Sequence, residues 1–388
     1  MNYRINQKNG DRLSILGFGC MRFPKDEGET ERLILRAIEQ GINYFDTAYI
    51  YGNSETILGR ILKRHNKREQ VKIATKIPPA MIRKYADLDK YFNQQLVKLQ
   101  TDYIDYYFIH MITDEGQWQR LKSLGIEEWI TAKKAEGKIR SIGFSYHGGR
   151  SEFIKVVDAY DWEFCMIQYN YLDENNQACR SGLKYAHSRG LPVMVMEPLR
   201  GGMLARKLPP AAAKVFENAP VNRTPAEWSF RWIWDQEEVL CVLSGMNAMP
   251  ILEENLTIAA TASPNDFTVE DHQTIQDVKE AFAQTINVPC TGCNYCMPCP
   301  KGVDIPTCLS SYNNIVIEGR MKAIAFYMMQ TGLKAKPELA SLCNQCGLCE
   351  RKCPQGIPIR KELKNTAKEL ERFYFKPVLK LAKWIQKF

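Results

Sequence analysis

The chain has 388 residues, of which 45% are hydrophobic and 25% are charged, a composition typical of soluble globular proteins. This length suits one large domain followed by a smaller one. No run of about 18 apolar residues is present to form a transmembrane helix. Residues 1–10 lack the apolar core of a secretory signal, so we expect a cytoplasmic protein. The formal net charge of +8 counts no thiolates or metal clusters, and we expect no nucleic-acid partner.

The first 265 residues predict a β-hairpin and then a repeating β-then-α pattern. Residues 3–16 predict the hairpin, with a turn at Asn9 and Gly10 that requires positive φ. Eight continuous apolar runs predict strands buried on both faces of a parallel sheet. These strands span residues 13–18, 43–46, 71–76, 104–110, 139–145, 164–169, 192–197 and 239–244. The predicted helices include residues 31–40, 55–63, 88–99, 151–160 and 178–189.

This alternation places residues 1–265 in the α/β class, as a closed (β/α)8 TIM barrel. The alternative is an open doubly wound sheet. We favour the barrel because no Gly-x-Gly-x-x-Gly turn follows any predicted strand.

Polar side chains follow successive predicted strands at the points where these strands end. Asp46 and Tyr51 follow the second strand, Lys76 ends the third and His110 ends the fourth. Each has a structural explanation by itself, as a capping acid, a core tyrosine, a solvated lysine or a satisfied histidine. Because the carboxyl ends of barrel strands share one rim, their co-location instead indicates a site.

The four side chains together can protonate an oxygen atom. A tyrosine with a pKa of about 10 is a poor acid at neutral pH, and a cation next to its oxygen improves it. Lys76 would supply that cation, Asp46 would be its counter-ion, and His110 would orient the substrate oxygen. This combination fits the reduction of a carbonyl group by hydride.

The four residues belong to a series of ordered motifs. The series begins with Asp46-Thr-Ala-x-x-Tyr51-Gly, Lys76 in Ala-Thr-Lys-Ile, His110 in Tyr-Phe-Ile-His, and Gly143-Phe-Ser145. It continues with Ile167-Gln168-Tyr169-Asn170, Glu197-Pro198-Leu199-x-Gly201-Gly202, and Ser244-Gly245 before Glu254-Asn255. Over residues 10–262 the chain therefore resembles an aldo-keto reductase. The resemblance implies reduction of an aldehyde or ketone, with Tyr51 as general acid, Lys76 and Asp46 tuning it, and His110 orienting the carbonyl.

The resemblance also implies a nicotinamide dinucleotide that lies extended across the barrel mouth. The implied contact residues are Gly19, Met21, Arg22, Asp46, Ser145, Gln168, Met196, Leu199, Gly201, Gly245, Asn247, Glu254 and Asn255. Met196 stands where many members have an aromatic residue, and a thioether can still pack on a ring face. The cofactor is expected to be NADP ahead of NAD, although uncharged residues at 245–251 replace the basic residues that often pair with the 2′-phosphate.

Eight of the thirteen cysteines form two compact runs. The runs are Cys290-x-x-Cys293-x-x-Cys296-x-x-Cys299-Pro and Cys343-x-x-Cys346-x-x-Cys349-x-x-x-Cys353-Pro. The first three thiolates of each run bind one cubane cluster and the fourth thiolate binds the other cluster, which predicts two [4Fe-4S] clusters. The alternative, zinc, takes two separated pairs of thiolates. The expected ligand sets are Cys290, Cys293 and Cys296 with Cys353, and Cys343, Cys346 and Cys349 with Cys299.

Residues 266–360 resemble an α-helical ferredoxin-type domain, because the insert at 305–334 between the two runs predicts helices. Cys308 is an alternative ligand. Hydride transfer moves two electrons and each cluster passes one, and no flavin motif is recognisable. The clusters therefore serve structure, redox sensing or electron exchange, and we expect exchange with an external carrier. The rival interpretation is a redox-sensing module that holds dinucleotide without turnover and signals to a partner.

Residues 361–388 predict a basic amphipathic helix. A membrane-surface helix has this pattern, and so does a helix packed on the ferredoxin-type domain, which we favour. The expected substrate is a small carbonyl compound. Its identity is not readable, because the loop at 113–126 carries no motif.

Overall fold

A computed structural model describes residues 1–206, 208–290, 292, 295–353 and 356–387. The chain divides into two compact units, Met1–Arg206 with Val221–His272, and Lys207–Pro220 with Gln273–Phe388. We call these the barrel unit and the cysteine-rich unit. The boundaries between the units lie after Arg206, Pro220 and His272, whereas the sequence analysis predicted a single boundary after residue 265.

The predicted hairpin is present in the barrel unit. Strands β1 (Tyr3–Ile5) and β2 (Arg12–Ser14) pair antiparallel. The connecting loop is closed by a hydrogen bond from Asn6 N to Asp11 O, and Gly10 has a positive φ of 78°. Glycine tolerates this conformation because it has no Cβ.

Eight parallel strands form a closed barrel, which confirms the predicted fold class over the open sheet. The strands are β3 (Leu16–Gly19), β4 (Tyr44–Asp46), β5 (Lys72–Ile77), β6 (Ile104–Ile112), β7 (Ile139–Tyr146), β8 (Phe164–Gln168), β9 (Val193–Met196) and β10 (Val239–Ser244). The barrel closes because β10 pairs with both β9 and β3. The first barrel strand begins later than predicted, since Leu13 and Ser14 pair with β1 in the hairpin.

Helices follow the strands of the barrel unit. They are α1 (Glu27–Glu39), α2 (Ser54–Arg64), α3 (Tyr85–Leu99), α4 (Glu115–Ser123), α5 (Ile126–Ala135), α6 (Arg150–Asp158), α7 (Cys179–Ser188), α8 (Met203–Arg206), α9 (Pro210–Glu217), α10 (Pro225–Trp234), α11 (Met249–Thr261) and α12 (Val269–Thr285). Helix α9 belongs to the cysteine-rich unit, and α12 crosses the boundary. Local signals fix several starts: the side chain of Asp26 caps α1, and that of Thr224 caps α10 before Pro225. Most of the expected loop at 113–126 is helix α4.

The cysteine-rich unit is helical, as expected for a ferredoxin-type domain. Its remaining helices are α13 (Ile305–Glu318), α14 (Arg320–Tyr327) with a π turn at Met328–Gly332, α15 (Leu348–Arg351), α16 (Ile359–Leu370) and α17 (Phe375–Lys387). Residues 361–388 thus contribute to two helices rather than one. Leu363 and Leu370 of α16 and Phe375 and Leu379 of α17 lie in the core of this unit. No helix in the described part of the chain is long and apolar enough to cross a membrane.

Candidate active site

A buried ion pair joins the ends of β4 and β5. Lys76 Nζ donates to Asp46 Oδ1 over 2.5 Å and to the carbonyl oxygen of Thr47 over 2.7 Å. The two side chains are only 1% and 5% exposed. Burial lowers the pKa of the Lys76 ammonium, but Asp46, Tyr51 and Cys20 together outweigh this effect and raise the pKa above its usual value. The pair therefore places a permanent cation at the barrel mouth.

Tyr51 and His110 lie beside this cation. Lys76 Nζ is 5.1 Å from the centroid of the Tyr51 ring and interacts with its hydroxyl. The rings of Tyr51 and His110 meet edge to face, with their centroids 5.8 Å apart. The structure therefore brings together the four side chains that the sequence selected.

The pKa of Tyr51 differs from the sequence-based expectation. Burial raises it above its usual value, and this effect outweighs the opposing influence of the Lys76 ammonium. The phenol is therefore fully protonated at neutral pH. Burial and the same ammonium lower the pKa of His110 well below 6.5, which keeps its imidazole neutral.

Two buried polar atoms of this group lack a hydrogen-bond partner among the described residues. They are Oδ2 of Asp46 and Nδ1 of His110. Buried polar atoms in folded proteins are nearly always hydrogen-bonded. Both atoms belong to the four-residue group at the barrel mouth, so they indicate a site for a polar ligand there.

The residues expected near a nicotinamide lie at or next to the ends of three further strands. Ser145 is in β7, Gln168 ends β8 and Met196 ends β9, where it is directly opposite Gln168. Ser145 Oγ accepts a hydrogen bond from the backbone of Met111 over 2.8 Å. Met196 is half-buried and packs against the core of the barrel.

Asp173 organises the carboxamide of Gln168, and sequence reasoning missed it. Its Oδ2 accepts from Gln168 Nε2 over 3.0 Å and from Asn170 Nδ2 over 2.9 Å, and it pairs with Arg200 Nε at 3.0 Å. Gln168 Oε1 in turn accepts from Gln177 over 2.6 Å. One available signal was the position of Arg200, which occupies the unassigned place in the motif Glu197-Pro198-Leu199-x-Gly201-Gly202.

The end of β3 lies against the end of β10. A Cβ on Gly19 would lie 3.3 Å from the carbonyl oxygen of Ser244, so only glycine permits this approach without displacement. Met21 is exposed, and the guanidinium of Arg22 lies against Gly201, whose φ is 67°. The half-buried Leu199 precedes this glycine.

The residues expected near the adenosine lie on the segment after β10 and on α11. Gly245 and Asn247 are exposed. Asn255 is buried, and its amide donates to Ser244 Oγ over 2.9 Å. Glu254 accepts a hydrogen bond from Thr224 over 2.7 Å. The last two side chains therefore also have structural roles within the barrel unit.

A cavity in the cysteine-rich unit collects cysteines from both runs. The lining cysteines are Cys296, Cys299, Cys343, Cys346 and Cys349. Cys290 and Cys353 pack against the same core, and Cys293 lies outside the described residues. Within the described ranges, no three potential ligands converge on a single metal ion. Cysteine thiolates are the donors that bind [4Fe-4S] clusters, and the spacing of the two cysteine runs fits such clusters better than the separated pairs of a zinc site.

The remaining cysteines are buried. Cys308 is fully buried, and its thiol donates to the carbonyl oxygen of Glu338 over 3.6 Å. The others are Cys20, Cys165, Cys179 and Cys241 in the barrel unit, as expected for core positions. Burial raises the pKa of Cys20, so this thiol stays protonated beside the ion pair.

A closed parallel barrel with a Tyr, Lys, Asp and His group at one rim, joined to a helical unit with clustered cysteines, defines an oxidoreductase of the iron–sulfur type. The chain belongs to the aldo/keto reductase family, whose family model matches residues 15–280. A second model, for a 4Fe-4S dicluster domain, matches residues 289–358.

Curated relatives and solved structures agree with this assignment. The oxidoreductase YqkF of Bacillus subtilis is 28% identical over 282 residues, covering 64% of this chain and 87% of the relative. The NADH-specific methylglyoxal reductase of Escherichia coli is 29% identical over 302 residues, covering 63% of this chain and 89% of the relative. The holo structure of aldo-keto reductase AKR11C1 from Bacillus halodurans has a TM-score of 0.61 at 27% identity and covers 72% of this chain and 96% of that one.

Proposed function

We propose that the protein reduces an aldehyde or ketone to an alcohol, with the hydroxyl of Tyr51 as proton donor. The observation that carries this proposal is the buried Lys76–Asp46 pair beside Tyr51 and His110. A bound nicotinamide would supply the hydride to the carbonyl carbon. The residues of this chain then have to orient the carbonyl and deliver one proton to its oxygen.

Each residue of the group has one task in this reaction. Neutral His110 donates a hydrogen bond to the carbonyl oxygen and orients it. Tyr51 transfers its proton as negative charge develops on that oxygen, so the C=O π bond breaks while the O–H bond forms. Lys76 stabilises the phenolate left on Tyr51, and Asp46 keeps Lys76 charged. Tyr51 is only half-buried, so solvent can return the proton.

The rim residues would hold the nicotinamide dinucleotide. Ser145 and Gln168 offer hydrogen bonds to a carboxamide, and Met196 offers an apolar surface to a ring. Relatives of this chain include one named as NADH-specific and one named with NADP. We expect NADP to bind more tightly. Dissociation constants for both reduced forms test this choice, and much tighter binding of NADH would contradict it.

The cysteine-rich unit would carry two [4Fe-4S] clusters that exchange electrons with an external carrier. One cavity is lined by Cys296 and Cys299 of the first run and by Cys343, Cys346 and Cys349 of the second, which supports clusters that take ligands from both runs. One expected set is Cys343, Cys346 and Cys349 with Cys299. The other set is Cys290, Cys293, Cys296 and Cys353. Cluster-free protein that keeps full activity with every electron donor would contradict a role for the clusters in turnover.

The decisive experiment is turnover of a carbonyl panel by anaerobically purified, cluster-replete protein. Tyr51→Phe should lower kcat by about a hundredfold to ten-thousandfold, the usual contribution of a general acid, with dinucleotide binding retained. The matched control is Tyr49→Phe. Tyr49 is two residues away, and its hydroxyl donates to the exposed Gln94, so full activity is expected.

Two results would overturn the proposal. If Tyr51→Phe retains the activity of the wild type, Tyr51 is not the proton donor. If the wild type binds dinucleotide but reduces no carbonyl, the redox-sensing module becomes the better description.

A further inference from the structure

Helix α17 presents a second apolar surface in addition to the one that it buries. Phe375 and Leu379, four residues apart, face the core of the cysteine-rich unit. On another side of the helix, Val378, Leu381 and Trp384 are 46%, 56% and 56% exposed. Residues at this three-residue spacing lie along one side of a helix. The helix is thus anchored on its own unit while large apolar side chains remain in contact with solvent.

The turn before the helix carries a further exposed aromatic residue. Phe373 is 91% exposed. Scattered exposed apolar residues are ordinary on protein surfaces. Here, however, Phe373, Val378, Leu381 and Trp384 fall within one short stretch. We call these four residues the C-terminal apolar face.

The charged residues of the stretch that carries this face have one sign. Residues 373–388 contain four lysines and no acidic residue. Lys376 and Lys380 are exposed on α17, whereas Lys383 Nζ donates to the carbonyl oxygen of Lys334 over 3.1 Å. Exposed lysines that border an apolar surface suit a partner that is both apolar and negatively charged.

We propose that the C-terminal apolar face binds the surface of an anionic lipid bilayer, with α17 lying parallel to it. Leucine, phenylalanine and tryptophan enter the boundary between headgroups and acyl chains, while neighbouring lysines pair with lipid phosphates. Phe375 and Leu379 keep the helix on its unit, so binding needs no unfolding. The cysteine-rich unit would then sit at the membrane surface.

Co-sedimentation with lipid vesicles tests this proposal on the full-length, cluster-replete chain. The vesicles contain phosphatidylcholine alone or phosphatidylcholine with phosphatidylglycerol. We expect the protein to sediment with the anionic vesicles, and we expect salt to weaken this binding. Leu381→Ser should weaken binding at least about tenfold, because the protein loses a leucine that would be buried in the bilayer. Lys380→Gln should weaken it about fivefold, which corresponds to one lysine at an anionic surface.

The matched control is Val97→Ser on α3 of the barrel unit. Val97 is 76% exposed and lies outside the C-terminal apolar face, so this variant should bind vesicles like the wild type. Iron content and absorbance check that every variant carries its clusters. Because Leu381 and Lys380 are exposed, their replacement should leave both readouts unchanged.

Three results would overturn the proposal. The first is a wild type that stays in solution with anionic vesicles at low salt. The second is equal vesicle binding by Leu381→Ser and Val97→Ser. The third is a wild type that binds no vesicles but forms dimers, which Leu381→Ser dissociates. That result would assign the C-terminal apolar face to contact between two copies of this chain.

Discussion

Lys76 and Asp46 form an ion pair that connects two adjacent strands at 2.5 Å between Nζ and Oδ1. Both side chains are removed from water, so each charge depends on the other. This dependence has consequences for stability as well as for chemistry.

Replacing one partner of this pair should destabilise the barrel unit. Asp46→Asn leaves a buried ammonium without its counter-ion, which costs about 3 kcal/mol or more. We expect a lower urea midpoint for unfolding of the barrel unit. Asp46→Asn combined with Lys76→Met should recover much of the loss, because neither charge then remains. The control is Lys155→Gln, which removes an exposed pair with Glu152 and should have little effect. Equal shifts for Asp46→Asn and Lys155→Gln would contradict this prediction.

The pH dependence of the proposed reduction should reflect the directions of two pKa shifts. His110 has a pKa well below 6.5, so it stays neutral and kcat/KM should be level between about pH 6 and pH 8. Tyr51 has a raised pKa, so its proton is retained and activity should fall only above about pH 10. His147 is not expected to add a step, since burial lowers its pKa to about 4. An acid limb near pH 6.5 that His110→Gln abolishes would refute this assignment.

Asp173 should control dinucleotide affinity through Gln168. Asp173→Asn removes a charged acceptor shared by Gln168, Asn170 and Arg200, which lets the carboxamide of Gln168 rotate. We expect the dissociation constant of the dinucleotide to rise about tenfold. Fluorescence titration measures it. Asp158→Asn on α6 is the control, because this exposed carboxylate accepts from Tyr185 and its loss should leave affinity unchanged. Unchanged affinity in Asp173→Asn would exclude this positioning role.

Iron analysis should separate the cysteines that bind clusters from those that only pack. Cys299 lines the cavity with three cysteines of the second run, so Cys299→Ser should reduce iron from about eight to about four atoms per chain. Cys308→Ala should keep the full iron content, because this buried thiol donates a hydrogen bond to the carbonyl oxygen of Glu338 and binds no iron. The reverse pattern would make Cys308 a ligand in place of Cys299.

Local sequence was sufficient for much of the fold. Continuous apolar runs predict the strands of a parallel sheet because both faces of each strand are buried, and all eight barrel strands lie near their predicted positions. The helical insert around α13 and α14 was equally readable. The end of the hairpin could not be predicted from local sequence. Leu13 and Ser14 belong to the hairpin and not to the barrel strand because they pair with β1, and this pairing is visible only in the structure.

The cysteine runs and the four polar side chains at strand ends were determined by the sequence, because ligand spacing and strand position are local properties. The tertiary structure alone decided the direction of the Tyr51 pKa, the network around Asp173 and the exposed face of α17. Each of these depends on which distant residues exclude water from a side chain. Desolvation and packing are set by neighbours in space, so no spacing along the chain encodes them.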